Sequence, residues 1–474
     1  MDRLPLSREA GSDERASRRR ICAACIHRAV VLVAALNACF LGLALWTATL
    51  PRDPLIARVK EAFASGELVD TDYLPLDSRR GVHQYNDCLI LQMITNPDRH
   101  IWMNAVAPLV YVENMETWED QCATLHRLVE DGGATSRYSP HRYARYWHGY
   151  NPVAAALLQR VSLADARRGL KLAVYGGLAA LLIAAGTRHR GVLAVATAIA
   201  AAGASVWAVP YFGQSLNDGP GDTLVVLGIG SFLFWRKRLS DLATFVPFCA
   251  AYGAAVTYVE MFTGVTATAA GLLFPIAYVV AVSRQDQASS ARQAWVFATA
   301  GLAAFALSSA FTVAVKLALS MAFLGQEAAA AFLGRLRDYM SPRLAPSGRP
   351  SIVGPFAALL RQGPVLTWGS ESGALLLYTG AALAWLAAGY LALRRPGVRP
   401  LGDLLAFAVG ASATPLWVLL FPTHTVIHSW VNVRLLILPV SLGFAALAWQ
   451  LTTPRGGVPR EPAAAARMRF DGPR

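Results

Sequence analysis

The feature that most constrains this chain is a succession of apolar runs, each close to the length of a membrane span, separated by short arginine-bearing turns. About 20 apolar residues are needed to cross the hydrocarbon core as a helix. Lipid offers no partner to an unpaired backbone group, so such runs are confined to helices. The runs predict ten spans, at 29–50, 169–186, 192–209, 222–235, 242–259, 263–282, 294–324, 370–393, 401–421 and 434–451. With 55% hydrophobic and 15% charged residues, composition agrees with an all-α polytopic membrane protein. The turns at Arg188-His189-Arg190, Arg236-Lys237-Arg238, Arg284/Arg292 and Arg394/Arg395/Arg399 fall on the same side as the tails 1–28 and 452–474. By the positive-inside rule that side is cytoplasmic. The loops 51–168, 210–221, about 260, 325–369 and 422–433 then face outward. The first span follows the basic stretch Arg15–Arg20 without a small-residue cleavage site, so it reads as a signal anchor.

The formal charge of +13 does not indicate nucleic acid. Only four basic residues are lysine (Lys60, Lys171, Lys237 and Lys316), and no basic stripe interleaves with aromatics. There is no internal repeat, no Walker A sequence, no GxGxxG after a strand and no His-Glu-x-x-His. Their absence argues against ATP-driven transport. Cys22 and Cys25 lack a second Cys or His pair nearby, which argues against zinc. Cys88 and Cys122 alone lie in the large outer segment, where an oxidising compartment permits a disulfide. Two unpaired buried thiols are the other reading.

That outer segment, 51–168, holds fifteen of the chain's thirty carboxylates and is the polar domain of the protein. Amphipathic helical pieces are expected around Leu55–Phe63, Asp87–Thr95 and Trp118–Val129. At its centre lies His83-Gln84-Tyr85-Asn86-Asp87-Cys88-Leu89-Ile90-Leu91. Asp87, set between an amide and a thiol at the start of a helix, is a candidate general base. Its bland reading is a carboxylate answering the helix dipole. Asp53, Asp70, Asp72 and Asp77 compete for the role.

Ionisable residues at membrane depth are expensive and default to functional hypotheses. Lys316 lies about 33 Å along the span that starts near Ala294, at 1.5 Å per residue, close to the outer interface. It can grip a lipid phosphate or merely snorkel. Glu260, after Tyr258-Val259, sits in a short apolar hairpin. Asn217-Asp218 and Asp222 read as loop residues, Asp218 as a solvated one. His424 and His428 share a helical face but lack a third ligand for metal. They suit an anionic head group, with Arg434 as a phosphate partner. The tract Arg142–Tyr150, with Arg145, Tyr146, Trp147 and His148, is either an interfacial aromatic belt or a surface for sugar rings.

Tyr85-Asn86-Asp87, Tyr146-Trp147-His148-Gly149-Tyr150, Tyr258-Val259-Glu260, Lys316 and His424 to His428 with Arg434 occur in this order in the outer loops and at the outer ends of spans. Together they resemble the GT-C superfamily of integral-membrane glycosyltransferases, and more narrowly a group of uncharacterised bacterial membrane proteins of that organisation. The family pattern more often carries Asp where Glu260 stands, and places its acid soon after the first span, nearer Asp53 and Asp70. The resemblance implies a large periplasmic first loop and a bacterial inner-membrane location with the active site facing the periplasm. It also implies a polyprenyl-phosphate sugar donor and a glycan or lipid acceptor. On this reading Asp87 is catalytic, and Lys316, Arg434, His424 and His428 hold the donor phosphate. Tyr85, Asn86, Arg145, Tyr146, Trp147, His148 and Glu260 bind substrate. No metal site or cofactor is assigned, with a divalent cation left open. Competing readings are a flippase for lipid-linked glycans, which would carry buried charges through mid-bilayer, and a non-catalytic envelope assembly subunit.

Overall fold

The computed structural model describes residues 9–77, 79–96, 100–113, 120–131, 138–186, 190–206, 208–260, 264–283, 291–341, 353–367, 369–395 and 399–453. The start of the N-terminal tail, the Arg188-His189 and Arg284 positions, Trp118, the segment 342–352 and the C-terminal tail from 454 lie outside the described residues.

Helix α1 (Glu9–Thr49) carries the first apolar run and stops before Pro51. A polar cap follows. It comprises α2 (Asp53–Ala64), β1 (Tyr73–Asp77), β2 (Gly81–His83), α3 (Tyr85–Thr95), α4 (Ile101–Val106), β3 (Leu109–Val112), α5 (Gln121–Glu130), β4 (Ser139–Arg142) and α6 (Tyr150–Leu158). Its core is built from Leu55, Val59, Ile90, Leu91, Leu125, Ala155 and Leu158. A disulfide between Cys88 and Cys122 ties α3 to α5 across a sequence separation of 34. By loop-closure entropy it contributes roughly 3–4 kcal/mol.

Two features of the cap differ from expectation. The antiparallel pairs β1–β2 and β3–β4 stand where only helices were expected. Strands of three to five residues are too short for alternation to show in a sequence. Helix α3 is not amphipathic in its setting: every residue from Asp87 to Thr95 is buried. Helices α2, α5 and α6 and strand β3 pack around it, so its polar positions face protein as well.

The bundle runs through α7 (Leu163–Gly186), α8 (Arg190–Val206), α9 (Asp218–Phe234), α10 (Leu242–Val259), α11 (Val265–Val282) and α12 (Ala291–Leu324). Next come α13 (Gln326–Met340), α14 (Val353–Arg361), α15 (Glu371–Arg394), α16 (Arg399–Ala411), α17 (Ala413–Leu420), α18 (Pro422–Ile427), α19 (Ser429–Asn432) and α20 (Ile437–Thr452). Among the described residues, eight helical stretches are long and apolar enough to cross a membrane. The two other expected spans coincide with α8 and α9, each of 17 residues. The fold is that of an all-α polytopic membrane protein. Small residues let its helices approach closely: a Cβ on Gly253 of α10 would lie 2.3 Å from the Phe305 carbonyl oxygen of α12. Stacking of Phe245 on Phe297, at 4.0 Å between ring centres, extends the same seam.

Buried charge is unevenly distributed. Asp403, at the end of the bundle far from the cap, accepts from Tyr278 Oη at 2.8 Å and Trp449 Nε1 at 3.0 Å. The remaining buried charged residues among those described lie in the cap or at the bundle end that touches it. Aliphatic and aromatic side chains fill the space between.

Candidate functional site

At the junction of cap and bundle is a cavity of about 300 Å³. Four walls enclose it, the last two each built from more than one stretch of chain, and each is held by identifiable contacts.

The first wall is the start of α3, with Tyr85, Asn86 and Leu89. Backbone N–H groups of Gln84 and Tyr85 donate to the Asp72 carbonyl at 2.7 and 3.2 Å. The Gln84 amide bonds Val69 and Thr71. The Asp72 carboxylate in turn accepts from the Gln121 and Cys122 N–H groups, at 3.1 and 2.9 Å, at the start of α5. Burial pushes its pKa up despite those bonds. Asp72 is thus a structural cap of α5. Asp53 is exposed, Asp70 pairs with His126 at 2.9 Å, and Asp77 accepts from the Arg79 N–H. None of the four lines the cavity.

The second wall is the tract from Tyr143 to Tyr150, contributing Tyr143, Arg145, Tyr146 and Tyr150. His148 adopts a left-handed φ of 55°, and the Gly149 N–H then donates to the Tyr258 carbonyl at 3.1 Å. A Cβ on Gly149 would stand 2.6 Å from that oxygen, so only glycine allows the approach. His148 is buried behind the wall. Its Nε2 faces the Tyr143 carbonyl and its Nδ1 the Tyr150 hydroxyl, both at 2.8 Å. A carbonyl only accepts, so Nε2 carries the proton and the Tyr150 hydroxyl donates to Nδ1. Burial, aided by the Lys316 charge, lowers the His148 pKa to about 3 and keeps the ring neutral. Trp147 turns away from the cavity. Its Nε1 donates to the Thr312 carbonyl at 2.9 Å, and its ring packs against Phe40 and Tyr258.

The third wall comes from α13 and the α18–α19 region: Arg335, Tyr339, His424, Ile427, His428 and Trp430. The two imidazoles lie 4.7 Å apart, and the edge of Tyr339 meets His424 at 4.6 Å. Burial, then the neighbouring His428, holds the His424 pKa well below the ordinary histidine value. The fourth wall is the end of α10 and the turn before α9: Thr257, Tyr258, Val259, Glu260 and Asn217. Glu260 is the one carboxylate on the lining among the described residues. Burial, and then the charge of Asp218, raises its pKa well above the ordinary carboxylate range.

Of the twelve residues given a catalytic or binding role from the sequence, seven share one cavity: Tyr85, Asn86, Arg145, Tyr146, Glu260, His424 and His428. The other five of the twelve do not line it. Asp87 is 1% exposed and both of its oxygens are engaged. Arg167 Nη2 donates to Oδ2 at 2.8 Å, and Ser215 Oγ and the Leu216 N–H donate to Oδ1 at 3.0 and 2.8 Å. Three donors therefore hold that carboxylate, and it does not line the cavity. Lys316 donates to the Val106 carbonyl of α4 and lies 5.9 Å from the Trp147 ring. Arg434 spans Asp218, at 2.8 Å, and Asp222, with its guanidinium carbon 5.1 Å from the Phe212 ring centre. Asp218 is fully buried rather than solvated, because this guanidinium neutralises it. Trp147 and His148 support the second wall from behind.

Sequence reasoning missed Arg335 and Tyr339. They stand at i and i+4 on α13, a helix whose opposite face is exposed. That spacing was the available signal. Tyr73 and Trp430 were also missed. They form an aromatic edge with Tyr85: Tyr73 stacks on Tyr85 at 6.2 Å and meets Trp430 edge-on at 5.8 Å.

The lining carries two guanidinium groups, a neutral His424 and one carboxylate biased towards its neutral form. That balance attracts anions. The guanidinium carbons of Arg145 and Arg335 lie 5.5 Å and 5.7 Å from the Tyr143 and Tyr339 ring centres. An apolar-bodied aromatic wall with a few converging polar groups is the usual make-up of a small-molecule site. Comparison with protein-family models, curated proteins and solved structures gave no match.

Proposed function

We propose that this chain is a GT-C-type glycosyltransferase that moves a sugar from a polyprenyl phosphate to a glycan or lipid acceptor of the cell envelope. In this reading the eight long apolar stretches, together with α8 and α9, span a bacterial cytoplasmic membrane and the cap faces the periplasm. The observation that carries it is the convergence of stretches remote in the chain on one cavity holding Glu260, Arg145, Arg335 and a ring of aromatic side chains.

Transfer of this kind needs a base at the acceptor hydroxyl and cations at the departing phosphate. Glu260 is the carboxylate for the first task and takes over the role first assigned to Asp87. Arg145 and Arg335 suit the second, since a guanidinium matches phosphate oxygens in a planar fork. The acceptor oxygen bonds to the anomeric carbon as the bond from that carbon to the phosphate oxygen breaks. The electron pair leaves with the polyprenyl phosphate, and Glu260 takes the hydroxyl proton. The aromatic walls supply flat surfaces for the sugar and limit water, which would otherwise hydrolyse the donor. Clustering of buried charge at the cap end, with an apolar middle, favours an enzyme over a transport path.

The test is an assay of purified protein in lipid with polyprenyl-phosphate sugars and envelope acceptors. Arg335→Ala is expected to raise the donor KM about 10- to 100-fold, the worth of one charge-assisted contact. Glu260→Gln is expected to lower kcat about 10²- to 10⁴-fold. Absence of transfer from every such donor, or unchanged kinetics in both variants, contradicts the proposal.

A further inference from the structure

Behind Glu260 lies a buried layer in which carboxylates outnumber cations. Arg434 serves both Asp218 and Asp222, and neither contact reaches Glu260. Among the described residues, the donor that reaches the Glu260 carboxylate is the side chain of Asn217. Asn217 Nδ2 lies 3.2 Å from Glu260 Oε1 and 3.4 Å from Asp218 Oδ1, so one amide bridges two carboxylates. The Asn217 backbone is itself held, its N–H donating to Ser215 Oγ at 3.2 Å. Glu260 Oε2 has no partner among the described residues. It lies against Gly221, where a Cβ would stand 3.1 Å away.

We propose that Asn217 is the positioning residue of this site: its amide fixes the Glu260 carboxylate on the cavity wall and favours the ionised form that can accept a proton. The inference rests on the role given to Glu260 above. Asn217 is 4% exposed, so in the folded protein its amide is held against the carboxylate rather than turned to solvent. A hydrogen bond to the charged form favours that form, while burial and Asp218 oppose it. The other charged or titratable groups around Glu260 are Asp222 on α9, Arg434, Tyr150 on α6, Tyr258 on α10 and, elsewhere on the cavity wall, Arg145, Arg335, the two histidines and the remaining lining tyrosines. The Asn217 variants leave all of these in place.

The experiment is an infrared titration of the full chain in nanodiscs, following the carboxyl stretch that disappears in Glu260→Gln. Asn217→Ala removes the donor, while Asn217→Asp keeps the shape and adds a carboxylate. Both are expected to move the Glu260 titration upward, Asn217→Ala by about one to two pH units and Asn217→Asp by more. The acid limb of the transfer rate should move with it. An unmoved titration in either folded variant overturns the inference, whatever the activity does. A shifted titration supports it even where wild-type protein transfers no sugar, a result that would count against the proposed reaction alone. Asn217→Asp is nearly isosteric and keeps the test available if Asn217→Ala does not fold.

Discussion

Replacing Asp87 by Asn separates a structural carboxylate from a catalytic one. The wild-type side chain closes a buried ion pair with Arg167, both partners being 1% exposed. Asparagine keeps an oxygen for Ser215 Oγ and the Leu216 N–H, but it presents a neutral amide to the guanidinium. Arg167 retains the Glu67 carbonyl, at 2.8 Å, and Glu67 Oε2 at 4.0 Å, neither of which replaces a direct carboxylate contact. Breaking a buried pair by removing one partner costs about 3–5 kcal/mol. That is about a 10²- to 10⁴-fold fall in the ratio of folded to unfolded protein. Thermal unfolding in detergent, followed by size-exclusion chromatography, should show a large loss of stability. Asp87→Leu with Arg167→Met should recover part of it, since an apolar pair leaves no buried charge. Molecules that stay folded should retain near-wild-type turnover. A variant as stable as wild type but inactive would refute this reasoning and return Asp87 to the catalytic role.

Three further predictions concern the site, the cap and the topology. Because the pKa of Glu260 is raised in the folded state, folding takes up a proton. Wild-type stability should therefore fall as pH rises from about 4.5 towards the raised value, with a slope of up to about 1.4 kcal/mol per pH unit. Glu260→Gln should remove that part of the slope in thermal melts across pH, and an identical pH profile would count against it. Cys122→Ser should lower stability by roughly 3–4 kcal/mol. Alkylation of denatured, unreduced wild-type protein should leave Cys88 and Cys122 unlabelled. Reporter fusions at Gly132 and Gly457 should report opposite compartments, and agreement between them would end the ten-span topology.

What the sequence made legible follows the range of the physics involved. Membrane spans are local, since twenty apolar residues announce themselves, and α1, α7, α10, α11, α12, α15 and α20 lie where hydropathy puts them. The place of Glu260 on the cavity lining was legible because an acid in a short apolar hairpin is costly without a reason. The tract Arg142–Tyr150 was legible as aromatic and basic, although its split between lining and support was not. That split depends on the His148 backbone turn and on the Gly149 contact with Tyr258. The role of Asp87 was hidden because its partners, Arg167 and Ser215, lie 80 and 128 residues away. Lys316 was correctly brought to the cap end, but its acceptor is a backbone carbonyl, which has no sequence signature. The strands were too short to leave a pattern.

The most direct test of the proposed reaction is mass spectrometry of envelope glycans from a strain deleted for this chain and complemented with either wild type or Glu260→Gln at equal protein levels. The deletion strain is expected to carry a glycan lacking one sugar. Wild type should restore that sugar and Glu260→Gln should not. An unchanged glycan profile in the deletion strain, or full restoration by Glu260→Gln, would contradict it.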